Sequence, residues 1–334
     1  MSRRKRVLSG IQPSGEAHLG NYLGAIQNWV ALLDEYDCFY CIVDLHAITQ
    51  DYEPGEMPRR VFDLAVSLIA SGLDPERCTI FVQSQVPEHA ELTWLLTTVT
   101  PLGDLYRMTQ FKEKAEGRES VNAGLLAYPV LQAADILLYR ADLVPVGEDQ
   151  RQHLELTREI ARRWNARFGD YLPEPQALIG EGRRILGTDG VSKMSKSRDN
   201  TIPLLGTPEE TWEAVRGAVT DPARVRREDP GNPHVCNVFA LHEFFTDPAA
   251  REAIEIRCQT ASIGCVDCKR ILSDGISKRL APIRERADAL ETHPERVHEI
   301  LAAGAEKARR VARETLDEIY RRMGLHELPV PVGS

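Results

Sequence analysis

Short apolar runs alternate with helical stripes along the first half of this chain, and that alternation leaves few architectures open. Residues 6–11 read as a strand, and Gln12-Pro13-Ser14-Gly15 behind them as a turn, with Pro and Gly setting its backbone angles. From Asn21 onward Tyr22, Leu23, Ile26, Trp29, Val30 and Leu33 recur at spacings of three and four, one face of a helix. A buried strand at 38–43, a helix at 58–70 with Val61, Leu64, Ala65 and Leu68 inward, and a strand at 79–83 continue the series. Strands joined through helices pair in parallel, so the pattern predicts an α/β fold with a Rossmann-like parallel sheet. Residues 88–140 read as mainly helical and inserted into that pattern. A strand at 143–146 and a helix at 147–168 resume it. Pro and Gly break the stretch 172–200, and everything after Pro203 reads as helix, interrupted at 230–233, 247–248 and 293–294.

The 334 residues exceed what one core comfortably holds, so more than one domain is expected: 1–200 as the α/β unit, 201–293 as a helical unit and 294–334 as a terminal helix. A net charge of −9 argues against a general polyanion binder. Basic clusters at 158–167, 224–227, 269–286 and 307–322 are either local nucleic-acid faces or solvated helix faces. The basic N-terminus is followed by no apolar stretch, and no run approaches the roughly 18 apolar residues of a membrane span. A cytoplasmic location without membrane attachment is the expectation.

Two segments carry phosphate chemistry. A strand, a glycine-containing turn and a helix N-terminus aim backbone N–H groups at an anion. Here His18 and Asn21 add donors, and Gly20 permits close approach. Many such turns bind nothing, so this segment alone decides little. The second segment is Lys193-Met194-Ser195-Lys196-Ser197, two cations on a polar loop that no apolar periodicity explains. Cleavage of ATP between its α and β phosphates builds charge on departing pyrophosphate. Two ammonium groups and Mg²⁺ can neutralise it, and a mobile loop can tighten as the charge develops.

Ala17-His18-Leu19-Gly20-Asn21 resembles, in variant form, the HIGH signature of class I aminoacyl-tRNA synthetases, and Lys193–Ser197 matches their KMSKS signature in full. Four further segments narrow the resemblance to bacterial tryptophanyl-tRNA synthetases: 9–15 (SGIQPSG), 108–114 (MTQFKEK), 133–139 (AADILLY) and 144–150 (VPVGEDQ). The likeness covers most of the chain. It implies two reactions, activation of L-tryptophan with ATP and transfer to tRNA(Trp), and a helical anticodon-binding unit at 201–293. It also implies a homodimer built on the inserted helices and a last helix, from about 294, that packs back on the catalytic unit. Catalysis would fall to His18, Asn21, Lys193, Ser195 and Lys196. The same resemblance places ATP against Gln12, Pro13, Ser14, Gly20 and Asn21, against Gly147, Glu148 and Asp149, and against Ile185 and the loop from Lys193 through Met194 and Ser195 to Lys196 and Ser197. The alternative for Asp149 is a first-turn acid favoured by the helix dipole, and ATP contact is the preferred reading. The rivals are a tyrosyl-tRNA synthetase, a small-molecule nucleotidyltransferase with the same phosphate motifs, and a redox-sensing or partner-binding paralogue.

Tyr128, Gln132 and Asp135 are spaced i, i+4 and i+7 and share one helix face amid apolar neighbours. A carboxylate there needs a donor. By spacing alone this is a backbone cap, a basic partner or a ligand N–H; the resemblance selects the indole N–H of tryptophan. Val144 and Val146 would wall the ring, with His46, Leu8 and Gln150 as further contacts by family position. Gln132 stands where relatives commonly carry Met, and Leu8 where an aromatic can occur.

Seven cysteines divide unevenly. Cys38 and Cys41 lie three apart in a strand, point to opposite faces and read as core thiols. Cys236, Cys258, Cys265 and Cys268 are separated by 21, six and two residues, a thiolate set suited to iron–sulfur or zinc. Some bacterial tryptophanyl-tRNA synthetases carry a [4Fe-4S] cluster on a spacing one residue longer in its first gap, which makes that cluster the leading expectation.

Overall fold

The structure, a computed structural model, describes residues 4–117, 120–147, 150–178 and 185–325. Its centre is a five-stranded sheet in the order β3-β2-β1-β4-β5, parallel at every pairing. The strands are β1 (Arg6–Ile11), β2 (Asp37–Ile42), β3 (Cys78–Val82), β4 (Leu143–Pro145) and β5 (Gln176–Leu178). β5 falls in the stretch that reads as irregular. It has three residues, two of them exposed, so it carries no apolar run to announce it.

β1 leads into α1 (Gln27–Leu32) through an α turn at Leu19–Asn21 and a π turn at Tyr22–Ile26. Helix α2 (Met57–Ala70), with a proline in its first turn, buries Leu64, Ala65 and Leu68. The inserted segment supplies α3 (Glu88–Thr97), short helices at Leu102–Tyr106 and Thr109–Ala115, and α4 (Ala123–Leu138), capped by Asn122 accepting from the Leu125 N–H at 2.8 Å. Helix α5 is Arg151–Phe168, starting later than the pattern suggests because Gly147 and Gln150 close a turn, N–H to carbonyl, at 3.0 Å.

The two faces of the sheet carry separate cores. Cys38 belongs to one, with Val7, Tyr40 and Ile42, while Cys41 belongs to the other, with Leu8, Phe39 and Phe81. The alternation expected of a strand therefore separates these two thiols. The helical half comprises α6 (Pro208–Gly217), α7 (Asn237–Phe245), α8 (Pro248–Gln259), α9 (Cys265–Thr292) and α10 (Pro294–Arg322). Asp247 and His293 are the N-cap residues of the helices that open on Pro248 and Pro294, since Pro suits a helix's first turn, where its missing N–H costs no hydrogen bond.

Helix α9 packs on α2, and α10 packs on β3. The second contact needs glycine at 304: a Cβ there would lie 1.9 Å from the carbonyl oxygen of Ile80. Gly304→Ala must push the helix off the strand. Overpacking of this kind costs about 1–3 kcal/mol, so a fall in thermal midpoint is expected, and an unchanged midpoint would contradict this contact. No described helix is long and apolar enough to cross a membrane.

Candidate functional site

In an open parallel sheet, ligands bind beyond the carboxyl ends of the strands, where the winding direction reverses. Here the reversal falls between β1 and β4. A cavity of about 380 Å³ opens there, lined by Leu8 to Gln12 of β1 and the turn after it, by Val144 and Pro145 of β4 and by Val146 just beyond it. α4 closes one side with Tyr128, Gln132, Asp135 and Ile136, and His46, Gln110, Lys114 and Gln150 complete the wall. Every side chain that the sequence pointed to for the amino-acid pocket therefore lies around one space. A second cavity, about 580 Å³, shares Ser9, Gly10, Pro145, Val146 and Gln150 with it and continues past Gly147 and Leu178 to Gly24, Asn28 and Trp29 on the first helix. Gly10 borders both; a Cβ there would strike Val43 at 2.8 Å, so its backbone stays open to a ligand.

Asp135 is the polar feature of the first cavity's floor. It is 3% exposed and accepts three hydrogen bonds: from Gln83 Nε2 at 2.7 Å and His89 Nδ1 at 2.6 Å on Oδ1, and from His46 Nε2 at 2.8 Å on Oδ2. Burial works against its ionisation, but His89 and the hydrogen bonds from both histidines outweigh it and hold the carboxyl below the usual range. Gln83 and His89 went unnoticed in the sequence. The only available signal was polar: Gln83 ends an apolar strand, and both side chains are fully buried. Tyr128 donates to Gln110 Oε1 at 3.1 Å and meets His153 Nε2 at 2.9 Å, and the Lys114 ammonium lies 5.1 Å from its ring centre.

The two phosphate segments meet beyond the end of β1. His18 caps the helix start: its Nδ1 accepts the Asn21 N–H at 3.3 Å, while its own N–H donates to Asn21 Oδ1 at 3.1 Å. Burial, then the nearby Lys196 charge, lowers the His18 pKa to about 4. With Nδ1 accepting, the neutral ring's proton sits on Nε2, free to donate to an anion. The Leu19 N–H donates to Ile202 O at 2.9 Å and the Leu204 N–H to Ala17 O at 3.1 Å, so the chain beyond the lysine loop is tied to this turn. Met194 is buried in the core beside Gly20, where a Cβ would come 3.1 Å from its own. Lys196 lies over Gly15; a Cβ there would sit 2.5 Å from the Lys196 Nζ. Gly15 also has φ +115°, which L side chains rarely adopt.

Asn200, buried beneath the loop, holds its backbone. It accepts the Ser195 N–H at 2.7 Å and donates to Lys193 O at 3.1 Å and Asp189 Oδ2 at 2.8 Å. Hydrogen bonds, first from the Ser192 hydroxyl and then from the Val191 N–H, keep Asp189 below the normal carboxylate range. Asn237, at the start of α7, donates to Gly187 O at 2.7 Å and ties the loop base to the helical half. Asn200→Ala removes this frame. A reduction of roughly ten- to a hundredfold in ATP turnover with unchanged amino-acid binding is expected, from misplacement of the lysines, and can be read by steady-state kinetics.

Gln12 lines the first cavity, Gly147 the second, and half-buried Ile185 packs near the lysine loop on the same core face. Pro13 is buried and Ser14 exposed in the turn after β1. Glu148 and Asp149 lie outside the described residues, and Ser197 sits in the single 3-10 turn Lys196–Arg198.

The four late cysteines converge on three helix ends. Cys236 precedes α7, Cys258 lies at the end of α8, and Cys265 and Cys268 open α9. Cys236, Cys258 and Cys268 pack against Phe239, Ile254 and Ile263. Burial, then the three neighbouring thiols, raises the Cys268 pKa to about 12. Arg224 Nη1 is 3.8 Å from Cys258 Sγ, and His242 Nε2 is 3.3 Å from Cys268 Sγ. Among the described residues no three His, Cys, Asp or Glu side chains form a group that could hold a metal ion.

Residues 1–281 match the family of class I tRNA synthetases for tryptophan and tyrosine (W and Y). The chain belongs to this family. Within it, the tryptophan–tRNA ligase of Deinococcus radiodurans is 51% identical over 97% of this chain and 99% of its own. That of Gloeobacter violaceus is 48% identical over 96% of each. The tryptophanyl-tRNA synthetase of Campylobacter jejuni, solved with ADP and tryptophan, superposes with a TM-score of 0.89 at 36% identity, covering 96% of this chain and 100% of that one.

Proposed function

We infer that this protein is a tryptophan–tRNA ligase acting in two steps. The tryptophan carboxylate attacks the α-phosphorus of ATP, pyrophosphate leaves, and tryptophanyl-adenylate stays bound. The terminal adenosine hydroxyl of tRNA(Trp) then takes the acyl group and AMP departs. The observation that carries the reading is Asp135, a buried acceptor held in its ionised form in the wall of the switch-point cavity, which shares Ser9, Gly10, Pro145, Val146 and Gln150 with the second cavity. An indole N–H supplies a further donor to it, and the phenyl ring of phenylalanine supplies none.

Little acid–base chemistry is needed, because a carboxylate is already a nucleophile. Positioning and charge stabilisation supply the rate. Leu8, Val144 and Val146 wall the indole, Tyr128, Gln132, His46 and Gln150 surround its polar parts, and the purine and ribose take the second cavity toward Gly147. His18 and Asn21 hold the α-phosphate side, and Lys193, Ser195 and Lys196 hold the departing pyrophosphate. Mg²⁺ bound with ATP adds further neutralisation there. Pyrophosphate–ATP exchange that depends on tryptophan tests this reading. Exchange with tyrosine in its place would refute the specificity, and none with any amino acid would refute the activity.

The helical half, 201–293, is proposed to meet the anticodon of the tRNA, with the exposed arginines Arg226 and Arg227 on its surface. An exposed apolar groove between α3 and α4, flanked by Ile48 and Trp94, supports a homodimer, as its solvation is costly. A cytoplasmic location fits these partners.

The cysteine set suits a [4Fe-4S] cluster by its chemistry. Three of the four soft donors, Cys236, Cys258 and Cys268, share one satellite core with Cys265 on the same helix start as Cys268, metal binding would relieve the mutual repulsion of their thiolates, and the Arg224 guanidinium beside Cys258 offsets anionic charge. Such a cluster, held by Cys236, Cys258, Cys265 and Cys268, would clamp three helix ends and supply a redox centre. Protein purified without oxygen is expected to be brown with absorption near ~400 nm, and Cys265→Ala should be colourless. Colourless wild-type protein containing zinc would refute the cluster.

A further inference from the structure

His89 is fully buried, and both its ring nitrogens are engaged. Nδ1 is 2.6 Å from Asp135 Oδ1, and Nε2 is 2.8 Å from the hydroxyl of Tyr139, itself fully buried. The ring stacks on Phe81, with centroids 5.9 Å apart. It stands in the first turn of α3, and α10 braces that turn on both sides. Arg313 pairs with Glu88 at 2.9 Å, and the Tyr320 hydroxyl donates to Glu91 at 2.6 Å. A residue held this firmly controls what it touches.

An ionised carboxylate only accepts, so the proton between His89 and Asp135 sits on Nδ1. Oδ1 takes two donors, His89 and Gln83, and its acceptor capacity is filled. Oδ2 takes one, His46, and retains a lone pair. We propose that His89 is a positioning residue for tryptophan selection: by donating from Nδ1 it occupies Oδ1 together with Gln83 and leaves Oδ2 as the acceptor for the indole N–H. This rests on Asp135 being the indole acceptor, as proposed above. Without His89, burial drives the carboxyl toward its neutral form, which rotates and accepts more weakly, since charge-assisted bonds are roughly twice as strong as neutral ones.

The test uses a tryptophan analogue with benzothiophene for indole, in which sulfur replaces the N–H and the shape is kept. For wild-type protein, kcat/KM in pyrophosphate exchange should favour tryptophan over the analogue by about a hundredfold or more, because the analogue leaves a buried acceptor unpaired. In His89→Leu this ratio should fall at least about tenfold through loss of tryptophan affinity, with the analogue little changed. His89→Asn, whose amide nitrogen reaches the Nδ1 position, should recover most of the ratio. A structural defect alone would weaken both substrates equally and leave the ratio intact. If wild-type protein does not discriminate, the Asp135 assignment fails. If it does and His89→Leu keeps the ratio, the role of His89 alone fails. Should the leucine variant not fold, ¹⁵N NMR of histidine-labelled wild-type protein decides: His89, assigned by its loss in His89→Asn, must show a protonated Nδ1, and an unprotonated Nδ1 overturns the proposal.

Discussion

Lys196→Ala should slow tryptophan-dependent pyrophosphate exchange by about 10²–10³-fold while leaving equilibrium binding of tryptophan unchanged. The size follows from where charge appears. The carboxylate and the triphosphate are both charged before reaction, but negative charge on the bridging oxygen and pyrophosphate grows only as the α–β bond breaks. A cation that meets that charge late stabilises the transition state more than the bound substrates, so its loss lowers kcat rather than affinity. The two side chains stand on different elements. Lys196 lies over Gly15 beyond the end of β1, whereas Asp135 sits on α4 with its own histidine and glutamine partners. Sites without shared partners act independently. Weaker tryptophan binding at an unchanged activation rate would show that the loop builds the amino-acid pocket instead.

Asp135→Asn should lower kcat/KM for tryptophan by about 10³-fold and remove most discrimination against phenylalanine. The substitution preserves volume but replaces an anionic acceptor with a neutral amide whose NH₂ must face His89 or the ligand. Three donors now converge where a charge stood, so the buried network loses satisfaction as well as the indole bond. Some loss of thermal stability accompanies this. The activity ratio separates the effects, since unfolding scales both substrates together. Retained preference for tryptophan over phenylalanine in a folded variant would show that ring shape alone, read by Leu8, Val144 and Val146, selects the substrate.

The two predictions rest on different kinds of legibility. The lysine loop was visible in the chain because it is local: five contiguous residues with a composition that packing cannot explain. The face formed by Tyr128, Gln132 and Asp135 was visible for a related reason, since helical periodicity converts spacing into direction. What surrounds Asp135 was not. His46, Gln83 and His89 reach it across sequence separations of 89, 52 and 46 residues, and nothing local in any of them marks the meeting. Gln110, from the short helix after α3, and His153, from α5, reach Tyr128 in the same hidden way. Asn200 escaped notice because its importance lies in bonds to backbone atoms, which carry no side-chain signature.

Strand–helix alternation and two phosphate motifs, all short-range patterns of polarity, thus sufficed to determine a parallel α/β unit and adenylating chemistry from the chain alone. The tertiary structure decided the rest: that the strand order reverses between β1 and β4 and so opens the cavity, that β5 completes the sheet, that Gly304 lets α10 lie on β3, and that two buried histidines keep Asp135 charged while a buried glutamine donates to it. These depend on which distant segments are neighbours. Contact between distant segments is settled by the packing of the whole core, not by the propensity of any one stretch, so the charge state of a single buried carboxylate could be read only once the chain was folded.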